Sequence, residues 1–216
     1  MLEAERERVA AAGRRLAAEG LVLGSAGNVS ARVGEQVAIS ATGTELGDLA
    51  SDRVIVVDLD GRPVAGGLPP SSELGLHLGI YKRYRAGGVV HAHGPYGTAL
   101  ACVLDELPVI HYEMLALGGP VRVARHATFG TDELAAATLN ALQDRSAALM
   151  ANHGTIAYGL DLDAAVERTV LLEWLCALYW RAAAIAVPRE LDEAEQRALA
   201  RAFASRPPTL GRRDEL

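Results

Sequence analysis

Apolar side chains near the start of the chain recur at every third or fourth position. Val9, Ala12 and Leu16 mark one face of a helix that this spacing predicts over residues 2–19, stopped by Gly20. Residues 21–60 lose that period. Rich in Gly, Val, Ile and Thr, they predict strands at Gln36–Ser40 and Val54–Asp58, with turns at Gly34-Glu35 and Asp60-Gly61. Pro69-Pro70-Ser71-Ser72-Glu73 predicts a helix entrance with serine as N-cap, the helix running to about residue 85 before Gly87-Gly88 breaks it. A short β-branched run over 89–93 follows, then a helix starting near Tyr96. Further strands are expected at 109–112, 121–124 and 147–150, with a helix capped by Thr131 reaching about residue 142. The apolar stripe Val166, Val170, Leu171, Trp174, Leu178 predicts a long helix over 163–187, ended by Pro188. A short helix over 191–204 closes the pattern.

This succession predicts a single α/β layered unit over residues 1–216, with 205–216 as a loose tail. Half the residues are hydrophobic and 22% are charged, enough for an ordered core, so disorder and fibrous repeats are excluded. The net charge is −6 and the cations are scattered, which argues against nucleic-acid or membrane partners. Cys102 and Cys176 stand far apart without CxxC spacing, so neither a disulfide framework nor a thiolate zinc site is indicated. Without a secretory leader or a membrane-length apolar run, a cytoplasmic location is expected.

Three histidines carry the first chemical signal. His91 and His93 are two apart in a predicted strand, where alternate side chains share a face, and His153 follows another strand in Asn152-His153-Gly154. Three imidazoles around one divalent ion leave a coordination position open for substrate. His77, one helical turn after Glu73, is expected to be packed and hydrogen-bonded, as are His111 and His126.

A second signal is an anion cradle. Gly24 to Asn28, Thr42-Gly43-Thr44 and Ser71-Ser72 combine small residues with donors, and the start of the predicted Ser71 helix adds partial positive charge. Asn28 donates through its amide, and Thr42, Ser71 and Ser72 through hydroxyls. Glu73 would then stand in the first turn of that helix, between anion and metal. A carboxylate beside a Lewis acid suits proton transfer next to a carbonyl.

With these residues in view, GSAGNVSAR at 24–32, ATGT at 41–44, PPSSE at 69–73, VVHAH at 89–93 and NHG at 152–154 resemble, in order and spacing, the class II aldolase/adducin family. The resemblance spans residues 5–190, and IHYEMLALGG at 110–119 with ATFGTDEL at 127–134 is similar to its ketose-phosphate aldolases. It implies a central mixed or antiparallel sheet flanked by helices. It also implies zinc-dependent, reversible cleavage of a phosphorylated ketose, of the fuculose 1-phosphate type, into dihydroxyacetone phosphate and an aldehyde. By the resemblance His91, His93 and His153 hold zinc, or another divalent ion such as manganese or cobalt. Asn28, Thr42, Gly43, Ser71 and Ser72 take the phosphate, and Glu73 is the acid/base. Tyr112 would reach a neighbouring subunit's site in a homotetramer. The same scaffold carries epimerases, dehydratases and decarboxylases, and a non-catalytic adducin-like module is the rival of another class.

Overall fold

A computed structural model describes residues 2–204; the expected loose tail at 205–216 lies outside them. The strands are β1 (Asn28–Val33), β2 (Gln36–Ser40), β3 (Val54–Asp58), β4 (Pro63–Ala65), β5 (Gly88–Ala92), β6 (Glu106–Leu107), β7 (Val121–Ala124), β8 (Ala147–Met150) and β9 (Gly154–Gly159). They form one sheet in the order β4-β3-β2-β1-β5-β9-β8-β7-β6. Its pairings are antiparallel except for β7 with β8, so the sheet is mixed, as expected. The helices are α1 (Glu3–Ala18), α2 (Leu74–Arg83), α3 (Pro95–Ala101), α4 (Asp132–Ala141), α5 (Leu162–Ala183) and α6 (Glu193–Ala204).

Strand alternation builds the layers. Val37, Ile39, Val89, Ala148, Met150 and Ile156 face α2 and α4 in one core. Their neighbours Ala38 and Val90 face α1 and the start of α5, while Ala147, Leu149 and Ala157 face α3 and the rest of α5. Helices cover both faces, which is why these strands read as continuous apolar runs rather than alternating ones. None of the described helices is long and apolar enough to cross a membrane.

Five expectations change. Residues 109–112 form no strand; Tyr112–Leu117 is a 3-10 helix, so β-branched composition alone does not make a ladder where no neighbouring edge is offered. α2 begins at Leu74 rather than at the serines, with Glu73 as its N-cap residue. The long helix stops at Ala183, and Trp174, taken from the predicted stripe, is 48% exposed. The buried face runs instead through Leu162, Val166, Thr169, Leu172 and Cys176, because a helix with apolar residues on several sides does not announce which side packs. His126 is exposed rather than packed.

Candidate active site

The site grows from the middle of the sheet. β5 pairs with β1 on one side and β9 on the other, and the ladder sets Asn28 directly opposite His91. His91 is fully buried, and its Nδ1–H donates to the Thr155 carbonyl of β9 at 2.9 Å, which leaves Nε2 as the nitrogen with a free lone pair. His93 lies one residue past β5, anchored by its N–H to the Leu21 carbonyl at 2.8 Å. His153 sits on the turn joining β8 to β9, where its N–H closes back on the Met150 carbonyl and Asn152 takes a positive φ of 54°. That left-handed position suits asparagine better than most residues. Gly154 is the close-approach point of this turn, since a Cβ there would lie 2.5 Å from the Ala92 carbonyl oxygen.

These placements bring the three imidazoles together as expected. The Nε2 atoms of His91 and His93 are 2.9 Å apart, and one nitrogen from each of the three rings lies within 4.8 Å of the others. Burial is the main cause holding all three below the ordinary histidine value. His91 falls to about 3, with the neighbouring His153 adding to the shift and the Thr155 carbonyl opposing it. His93 falls to about 4, lowered further by His91 and His153 and raised by Glu73. Neutral imidazoles are the form that binds metal.

Glu73 faces this cluster and is itself buried. Its Oε2 accepts from the Asn28 amide at 2.9 Å and lies 3.2 Å from His91 Nε2. Its Oε1 has no hydrogen-bond partner and lies 3.6 Å from His153 Nε2. A buried, unbonded carboxylate oxygen beside converging imidazole nitrogens is costly unless a cation or a substrate hydrogen fills the space between them. The donor set therefore fits a divalent ion, and N-only ligation by three histidines leaves coordination positions for substrate oxygen.

A cavity of about 250 Å³ opens beside the cluster. Asn28, Thr42, Gly43, Ser71 and Ser72, the five expected anion-binding residues, all line it together with Glu73, His93 and His153. Three N–H groups at this helix start already have partners nearby. Leu74 N–H bonds the Ser71 carbonyl, Leu76 N–H the Glu73 carbonyl, and Glu73 N–H the Ser71 hydroxyl oxygen. The hydroxyl hydrogens of Ser71 and Ser72 remain as donors there. Gly43, at φ +69°, meets nothing within 4 Å where a Cβ would be, so the wall is open at that point.

Two groups were not singled out from the sequence. Phe129, 66% exposed, and Ser25 also line the cavity. Ser25 lies inside a segment read as a cradle, whereas a phenylalanine on a loop gives no local sign that it borders polar chemistry. Tyr112 is not among the lining residues. It stands at the start of its 3-10 helix, 40% exposed, its ring tilted at 31° beside that of His111.

Comparison with known proteins gives the same picture. Residues 7–180 match the family described as class II aldolase and adducin N-terminal domain. A 5-deoxy-D-ribulose 1-phosphate aldolase of Bacillus thuringiensis serovar kurstaki is 38% identical over 94% of this chain and 97% of its own length. The L-fuculose phosphate aldolase of Escherichia coli is 37% identical over 78% of this chain and 79% of its own. A solved L-fuculose 1-phosphate aldolase superposes with a TM-score of 0.88 at 32% identity, covering 93% of this chain and 96% of that one. A 3-oxo-tetronate 4-phosphate decarboxylase of Haemophilus influenzae is 33% identical over 82% of this chain and 87% of its own.

Proposed function

The chain belongs to the class II aldolase and adducin family, and from that membership we propose that it is a zinc aldolase. Its substrate in this reading is a short ketose 1-phosphate, cleaved reversibly to dihydroxyacetone phosphate and a small aldehyde. The observation that carries this reading is the buried Glu73 carboxylate, its Oε1 unbonded, beside the cluster of three imidazoles at the wall of a cavity lined with hydroxyls. Relatives named for 5-deoxyribulose and fuculose phosphates support a deoxy ketose as the substrate class.

His91, His93 and His153 would hold the ion. When bound, a divalent ion supplies Lewis acidity toward a carbonyl oxygen and the hydroxyl beside it. Thr42, Gly43, Ser71, Ser72 and the second amide hydrogen of Asn28 grip the phosphate, which fixes the ketose so that its third carbon faces Glu73. When the bond between the third and fourth carbons breaks, its electron pair stays on the third carbon, conjugated with the carbonyl. The hydroxyl on the fourth carbon loses its proton and becomes the aldehyde. Glu73 delivers a proton from Oε1 to the third carbon, completing dihydroxyacetone phosphate, and removes it in the synthetic direction. Tyr112, contributed by a neighbouring copy in a homotetramer, handles the proton of the aldehyde oxygen.

The test is product identification. Metal-loaded protein is incubated with 5-deoxyribulose 1-phosphate, fuculose 1-phosphate and methylthioribulose 1-phosphate, and the products are weighed by mass spectrometry. Dihydroxyacetone phosphate with the matching aldehyde is expected; a product lighter by one water, or an epimer of unchanged mass, overturns aldol cleavage.

A further inference from the structure

Behind Glu73 a buried line of side chains runs from Asn28 through His77 and Ser30 to Tyr81, and to the last three the reaction assigns no part. Asn28 Nδ2 donates to Glu73 Oε2 at 2.9 Å. At its other end, Asn28 Oδ1 meets His77 Nε2 at 2.5 Å. His77 Nδ1 meets the Ser30 hydroxyl at 2.6 Å, and that hydroxyl meets the Tyr81 hydroxyl at 2.7 Å. Asn28, Ser30, His77 and Tyr81 are all buried, the last two on α2 and the first two alternating along β1.

The chemistry of the last acceptor fixes the direction of every bond in the line. Glu73 Oε2 accepts whether or not Oε1 carries a proton, so the amide must turn its NH₂ toward it. Asn28 therefore offers a carbonyl oxygen to His77, and Nε2 must carry the hydrogen. A neutral ring then has an acceptor at Nδ1, which Ser30 satisfies by donating, and Ser30 in turn accepts from Tyr81. Each group has one orientation, and reversing any of them places two acceptors or two donors face to face in a buried setting, at a cost of about 1–3 kcal/mol. Burial, with His91 nearby, keeps His77 neutral, its value falling to about 3.

We infer that His77 is a positioning residue: as the Nε2–H tautomer, with its Nδ1 satisfied by Ser30, it donates to Asn28 Oδ1 and locks the amide so that Glu73 Oε2 is committed and Oε1 alone carries the reacting proton. The consequence for chemistry rests on the reading of Glu73 as proton carrier; the tautomer and the amide orientation do not.

The experiment therefore has two independent arms. In the first, the metal-free protein is labelled with 15N and the ring shifts of His77 and the side-chain amide of Asn28 are recorded. A single Nε2–H tautomer and a slowly exchanging Asn28 amide are expected. An Nδ1–H ring overturns the inference whatever the protein catalyses. In the second arm, His77→Met is expected to lower kcat about 10- to 100-fold, the usual effect of losing a supporting hydrogen bond, with KM nearly unchanged. His77→Gln, which restores an N–H donor, is expected to regain most of the loss. If the Met variant does not fold, the ring tautomer of the first arm decides the inference, and His77→Gln should keep most of the wild-type kcat. Wild-type kcat in His77→Met, or a loss in His77→Gln as large as that in His77→Met, overturns it. Wild-type protein that cleaves no ketose phosphate but shows the expected tautomer removes the proposed reaction and leaves the positioning intact.

Discussion

Asn28 and His91 face each other across the β1–β5 ladder, and their side chains converge on the same oxygen of Glu73, at 2.9 and 3.2 Å. One cross-strand pair thus fixes the carboxylate against the imidazole cluster. A slip of β1 by one residue in that register would turn Asn28 to the opposite face of the sheet while β9 holds His91 in place.

Glu73→Gln keeps an acceptor for Asn28 but cannot carry a proton. Turnover should fall by about 10² to 10⁴ while metal content is unchanged. Steady-state kinetics beside elemental analysis of the same preparation decides it, and wild-type turnover would remove Glu73 from the chemistry.

Removing one imidazole should remove the ion. His153→Ala is expected to lose most of the bound metal at micromolar protein, and treatment of the wild type with chelator should abolish turnover until zinc, manganese or cobalt is returned. Full activity without any divalent ion, measured after exhaustive dialysis, would contradict the assignment.

The metal-free protein should lose stability in mild acid. His77 and His91 are fully buried and titrate near 3, below their unfolded value of 6.5. Between those values the unfolded chain binds the protons and the native chain does not, so stability drops as pH falls from about 6.5 toward 3. Each of the two contributes at most about 1.4 kcal/mol per pH unit. Urea denaturation at pH 7 and pH 5 reads the slope; equal midpoints would show that these rings are not held neutral.

Gly154→Ala forces a methyl group to within 2.5 Å of the Ala92 carbonyl and 3.4 Å of the His91 and His93 rings. The turn that carries His153 must shift, at a cost of about 1–3 kcal/mol, with weaker metal binding. Thermal denaturation with and without zinc separates the two effects. An unchanged melting temperature would show that the turn has slack.

The role proposed for Tyr112 can be tested by complementation. Tyr112→Phe and Glu73→Gln chains, each nearly inactive alone, should regain activity when unfolded together and refolded as a mixture, because some sites then combine an intact carboxylate with an intact neighbouring tyrosine. No recovery would place Tyr112 outside a shared site.

The histidine cluster was legible because its members sit where short apolar strands end, at 91, 93 and 153, and strands such as Gln36–Ser40 carry their own turn signals on either side. β9 went unread because Gly154 and Gly159 bracket only four other residues, and its neighbours β5 and β8, rather than its composition, make it a strand. The entrance of α2 was misplaced since Ser71 Oγ binds the Glu73 N–H in a turn before the helix, a bond with the same residue signature as an N-cap. His77 looked like a core histidine and is one; that its hydrogen bond runs through Asn28 to Glu73 depends on residues 49 and 45 positions apart, which no local pattern encodes.

The lining of the cavity has two kinds of origin. Asn28, His93 and His153 belong to the sheet or its immediate ends, whereas Ser25 and Phe129 are carried by connecting loops at the rim. Rim and imidazole wall are therefore built by separate parts of the chain, so that a loop can be exchanged while the strand ends keep the cluster in place. Reshaping the mouth of the cavity would begin at the exposed Phe129 and leave the strands alone.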